Sequence, residues 1–130
     1  MLSKRNSLIV LGACLLLAQA CRQKTVSMMD AKITHEISPQ HPRVGPVAIT
    51  LKMTDSSGKS VTGARFSLEG NMSHAGMTPV FADAKETGDG IYRATMNLSM
   101  AGDWRVTARA TLPDGRKLEY EFEINGVAPA

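Results

Sequence analysis

Tyr92-Arg93-Ala94-Thr95-Met96-Asn97-Leu98 alternates apolar and polar residues without a slip. After the turn Ala101-Gly102-Asp103 the alternation resumes in Trp104, Val106, Ala108, Ala110 and Leu112, with Arg105, Thr107, Arg109 and Thr111 between them. A second turn, Pro113-Asp114-Gly115, leads into Leu118, Tyr120, Phe122 and Ile124, set against Lys117, Glu119, Glu121 and Glu123. Successive side chains of a strand point to opposite faces, so a strict period of two marks strands with one buried and one wet face. Antiparallel sheets are built this way.

The same pattern runs upstream. Ala31, Ile33, His35 and Ile37 share one phase up to a stop at Pro39, and Gln40 to Gly45 is a Pro-rich loop. Val47, Ile49, Leu51 and Met53 follow, ending at the turn Asp55-Ser56-Ser57-Gly58. A third strand is predicted over Val61 to Leu68, with Ala64, Phe66 and Leu68 in phase, and a looser one near Val80 to Lys85 before Thr87-Gly88-Asp89-Gly90. No segment after residue 30 has a helical period. Short alternating strands joined by Asp-Gly and Ser-Gly turns predict an all-β protein, an immunoglobulin-like β-sandwich of about seven strands over residues 31–126.

The N-terminus reads as a targeting signal. Lys4 and Arg5 precede an apolar run from Leu8 to Ala18, and Ala18-Gln19-Ala20 fits a small-x-small cleavage site. Cys21 follows at once. Leu17-Ala18-Gln19-Ala20-Cys21 resembles a bacterial lipobox, which predicts a lipoprotein-type signal over 1–20 and lipidation of Cys21. Simple secretion after Ala20 is the alternative. Residues 21–30 form a polar tether that includes Met28-Met29, and Arg22 resembles the outer-membrane sorting pattern. The expected location is the bacterial envelope: lipid-anchored, on the periplasmic face, at the outer membrane if the host has two.

Charge excludes one class of partner. The formal charge is +3, but removing Lys4 and Arg5 leaves thirteen basic and twelve acidic residues. No Lys/Arg cluster with interleaved aromatics appears, so nucleic acid is not an expected partner. Cys21 would be the sole mature cysteine, so the fold must rest on its core rather than on a disulfide.

The chemistry-bearing stretch is Glu69-Gly70-Asn71-Met72-Ser73-His74-Ala75-Gly76-Met77-Thr78-Pro79. Two thioethers and an imidazole fall within six residues, where a buried strand would favour branched or aromatic side chains. An extended Met72-Ser73-His74 puts Met72 and His74 on one face, and Gly76 lets Met77 approach from the side. Thioether sulfur is a soft ligand suited to Cu(I), and imidazole is a general transition-metal ligand. Met100, at a strand end before the Gly102 turn, is a possible fourth ligand. The competing reading makes Met72 and Met77 flexible core fillers and His74 a surface residue. Met53 and Met96 lie in apolar strand phases and are expected in the core, as is Trp104 beneath its turn. His35 is expected to be a partly buried structural residue of an edge strand, and His41 to be solvated.

Other chemistry finds no support: there is no phosphate loop, no zinc spacing of Cys and His, and no orienting carboxylate for Ser73-His74. An enzyme is not expected. Met72-Ser73-His74-Ala75-Gly76-Met77, Gly90-Ile91-Tyr92 and Met100-Ala101-Gly102-Asp103-Trp104 together resemble the YtkA-like family, related to FixH-type proteins. The resemblance covers about Ile33 to Ile124. It implies a small immunoglobulin-like envelope domain, and Cu(I) handling linked to oxidase assembly or heavy-metal efflux. The alternative is a metal-free interaction module that docks onto a membrane complex.

Overall fold

The computed structural model describes residues 31–74 and 76–130. The expected signal, Cys21 and the tether lie outside them. Seven strands succeed one another: β1 (Lys32–Ser38), β2 (Gly45–Thr54), β3 (Arg65–Met72), β4 (Val80–Gly88), β5 (Ile91–Leu98), β6 (Gly102–Thr111) and β7 (Lys117–Val127). All pairings between them are antiparallel, in the order β1-β2-β5-β4-β3-β6-β7.

β4 is what makes a sandwich of this continuous order. Its first half, Val80–Ala84, pairs with β3, whereas Lys85–Gly88 pairs with β5 across a bulge between Glu86 and Gly88. Bulges bend a strand and raise its twist. β4 thus passes from the β3-β6-β7 layer to the β1-β2-β5 layer, and the layers face each other. Phe66 of β3 meets Tyr92 of β5 with ring centroids 4.7 Å apart. At the other side His35 of β1 stacks on Phe122 of β7 at 4.1 Å, and its Nδ1 lies 2.7 Å from the Tyr120 hydroxyl. Backbone bonds from Val44 N–H to the Ala128 carbonyl and from Ala128 N–H to the Pro42 carbonyl close the same seam.

The predicted phases set the core. Val47, Ile49, Leu51 and Met53 of β2 are fully buried, as are Tyr92, Met96 and Leu98 of β5. Trp104, Val106, Ala108 and Ala110 of β6 and Leu118, Phe122 and Ile124 of β7 complete one cluster from both layers. Burial of each larger side chain contributes about 1.5–3 kcal/mol. Tyr120 is only half-buried, since it lies in the β1/β7 seam with His35.

One strand was misplaced by the sequence pattern. β3 runs Arg65–Met72, not Val61–Leu68. The residues before it are held as a loop: Tyr92 donates to the Val61 carbonyl at 2.8 Å and accepts from Ala64 N–H at 3.1 Å. Gly63, at φ +73°, breaks the extension between them. The Glu69-Gly70-Asn71 segment, beyond the end of the predicted strand, is regular strand.

Candidate functional site

β3, β4, β5 and β6 deliver the four candidate residues to one end of the sandwich. Gly70 explains how. A Cβ there would sit 2.8 Å from the Met96 sulfur, 3.1 Å from Val80 Cγ2 and 3.4 Å from Trp104 Cε3. Glycine within a strand commonly marks such a close approach. Two residues on, Met72 ends β3 directly opposite Trp104. It occupies the inward phase of Phe66, Leu68 and Gly70 and belongs to the core. Its Cε would lie 3.0 Å from a Cβ on Gly102, which has φ +126°.

Trp104 is the post on which this pole stands. It is 1% exposed, and its indole Nε1–H donates to the Met100 carbonyl at 2.9 Å. The hydrogen bond ties the β5–β6 turn to the core while the Met100 side chain stays 46% exposed. Met77 is half-buried and packs against the core from the β3–β4 loop. His74 is exposed. Met72 and His74 therefore do not share a face: β3 stops at Met72, and the chain bends before the histidine.

The four residues share a pole but differ in access, from buried Met72 through half-buried Met77 to exposed His74 and Met100. Beside Met72 lies a cavity of about 420 Å³, bounded by Asn71, Ser73, Trp104, Arg105, Glu123 and Asn125. A cavity of about 560 Å³ lies lower on the same layer against Arg65, Phe66, Asp83 and Lys117, and holds none of the four. Among the described residues no three His, Cys, Asp or Glu side chains are grouped as hard or borderline ligands would be. The four candidate residues offer three thioether sulfurs and one imidazole, a donor set that suits soft ions.

Two contacts lay beyond the sequence reading. One is the Trp104–Met100 bond, foreshadowed only by their spacing of four. The other is the His35–Tyr120–Phe122 seam, which pairs residues 85 apart and had no local signal. Burial pushes the His35 imidazole below its usual pKa. The remaining predictions for single residues hold: Met53 and Met96 are core and His41 is exposed.

Fold and pole together define a small immunoglobulin-like sandwich with a methionine- and histidine-bearing end. The YtkA-like family profile matches residues 28–109, and the chain belongs to that family. No curated protein matches the sequence. Among solved structures, a DUF4426 family protein from Pseudomonas aeruginosa is similar with a TM-score of 0.57 at 9% identity, over 75% of this chain and 91% of that one. At that identity the likeness concerns the fold alone. The outer membrane decaheme cytochrome OmcA aligns with a TM-score of 0.47 at 13% identity, over 78% of this chain but only 23% of the cytochrome. Murine CRIg aligns at 0.43 and 11% identity, over 76% of this chain and 98% of CRIg.

Proposed function

We propose that this protein is a lipid-anchored accessory domain of the bacterial envelope that carries Cu(I) at its methionine pole. Met72, His74, Met77 and Met100 are the ligands, and the partner is an envelope protein of oxidase assembly or metal efflux. The supporting observation is the register that sets Met72 against Trp104, combined with the indole bond from Trp104 to Met100. It gathers a thioether 28 residues distant in sequence to the pole that already holds the other three. Soft neutral donors suit Cu(I) and suit Zn(II) poorly. The exposed Met100 and His74 form the outer, exchangeable side of the site, and Met72 the inner wall.

A second reading has its own observation. Met72 lies in the core and Met77 packs on it, as fillers would. On that reading the pole is an adaptable apolar contact surface of a metal-free docking module. Competition for Cu(I) against a chromogenic chelator separates the two, using Met72→Leu, which keeps the packing and removes the sulfur, and a Met77→Ala, Met100→Ala double variant. The carrier predicts Cu(I) retention by the wild type and its loss in both variants. Equal retention by all three, or none by any, leaves the docking module. The anchor is tested separately: Cys21→Ala should release the protein from the membrane fraction or leave the precursor uncut, and unchanged, normally processed membrane association refutes it.

A further inference from the structure

The strand registers give the domain two poles. Lys32 pairs with Thr54 and Lys52 with Ile91, so the chain enters at the pole that holds the β2–β3, β4–β5 and β6–β7 connections. Gly45 pairs with Leu98, Gly70 with Val80 and Met72 with Trp104, which puts the methionine pole at the far end. The ten residues of β2 span the separation, about 30 Å at the rise of an extended strand.

Formal charge divides along the same axis. Beyond the rows through Thr50 and Ser67, the entry pole holds the cations Lys32, Lys52, Lys59, Arg65, Arg116 and Lys117 against the carboxylates of Asp55, Glu86, Asp89 and Asp114. The far half holds Arg43 and Arg105 against Glu69, Asp103, Glu121 and Glu123. The middle rows are neutral, with Lys85, Arg93 and Arg109 balancing Glu36, Asp83 and Glu119. The result is an excess of two positive charges at the entry pole and two negative charges at the methionine pole.

Three entry-pole carboxylates are also turned onto the domain's own donors. Asp55 accepts the N–H groups of Ser57 and Lys59 at 2.9 Å, Glu86 those of Gly63 at 3.0 Å and Gly90 at 3.3 Å, and Asp114 holds Arg116 at 2.6 Å. Lys32, Arg65 and Lys117 are exposed and make no ion pair among the described residues, Arg65 and Lys117 flanking Thr111 in one row.

We propose that the entry pole is the surface this domain lays on an anionic bilayer, with the methionine pole held away from the lipid. This rests on the anchor at Cys21. A tether of about ten residues reaches at most about 35 Å, so the anchor keeps the entry pole close to the headgroups. Within a Debye length of about 8–10 Å the negative leaflet attracts the positive pole, and it disfavours the negative one. Any partner of the methionine pole is then met on the side facing away from the anchoring membrane.

The test uses the full, processed chain on phosphatidylcholine vesicles containing phosphatidylglycerol and a headgroup-borne nitroxide quencher. A fluorophore is placed at Ser56→Cys on the entry pole or at Asn125→Cys near the methionine pole. Several-fold stronger quenching of the Ser56 label is expected. The difference should shrink severalfold, to what the tether alone imposes, on pure phosphatidylcholine and in a Lys32→Glu, Arg65→Glu, Lys117→Glu variant that still floats with the vesicles. A chain that floats and is quenched equally at both labels on the anionic vesicles, or a difference as large on neutral lipid as on anionic lipid, overturns the charge-driven orientation alone. A wild-type chain that does not float overturns both the anchor and the orientation.

Discussion

Replacing Trp104 by Ala is expected to cost about 3–5 kcal/mol, the range for deleting a buried large aromatic. The surroundings place it toward the upper end. Trp104 is 1% exposed, and nearby Gly70 and Gly102 have no side chains that could swing into the void. The lost indole bond adds little, because the Met100 carbonyl sits at a surface turn where water replaces the donor. Against a total stability of about 5–15 kcal/mol this is a large share. In a domain of this size it lowers the melting temperature by roughly 12 °C or more. Trp104 is the sole tryptophan, so the comparison is read by far-UV circular dichroism rather than intrinsic fluorescence. Trp104→Phe keeps most of the apolar volume but removes the donor and part of the ring, with an expected cost of about 1–2 kcal/mol that comes chiefly from the lost volume. If Trp104→Ala melts within a few degrees of the wild type, the indole is not the post that holds the two layers at this pole.

Gly70→Ala is expected to destabilise by about 1–3 kcal/mol through overpacking against Met96, Val80 and Trp104, although Ala for Gly in a strand normally helps; a rise in melting temperature would contradict the contact. Burial lowers the His35 pKa, so the folded state disfavours its charged form. Stability should therefore be full above the ordinary imidazole value near 6.5 and decline as pH falls below it toward the lower folded value. Melts at pH 7.5 and 5.5 should differ less for His35→Gln than for the wild type, and an equal pH response would refute the assignment. Arg109 bonds Glu69 at 2.9 Å and Glu119 at 3.1 Å on a solvated face, so Arg109→Ala should leave the melting temperature near wild type; a large loss would mean the ladder is structural.

Most of the fold was legible because its strands obey one rule. In β2, β5 and β6 every predicted inward residue is buried, and these strands lie within their layers with a neighbour on each side. The rule weakens where burial is partial. β1 is an edge strand whose inward residues are only half-buried, and its seam to β7 turns on His35, a polar residue whose stacking on Phe122 and bond to Tyr120 no local alternation announces. At β3 it failed for a steric reason. Gly70 carries no side chain to count in either phase, so the alternation seemed to end at Leu68. The missing Cβ is what admits Met96 and Trp104, so the residue that broke the pattern is the one that lets the layers meet.

The candidate site shows the same limit from the other side. Density of soft donors singled out one segment, and Met72, His74 and Met77 are close enough in sequence that they cannot be far apart in space. Local spacing could not assign access to each residue. Extending the strand phase through Ser73 puts His74 beside Met72, yet β3 ends at Met72, which is drawn inward by Trp104 and Gly102. Met100 was placed by its position at a strand end, and what fixes it there is a side chain four residues on, donating to its backbone. The sulfur of Met72 is thus set by packing, whereas the Met100 side chain is exposed over an anchored turn. A Cu(I) ion at this pole would be held from within by a buried core residue and reached from outside through an exposed one. Loss of the Trp104 donor should therefore loosen the outer ligand before it disturbs the inner. In Trp104→Phe, Cu(I) exchange with the chelator should quicken while Met72 stays buried; an unchanged exchange rate would show that the indole bond serves the fold alone.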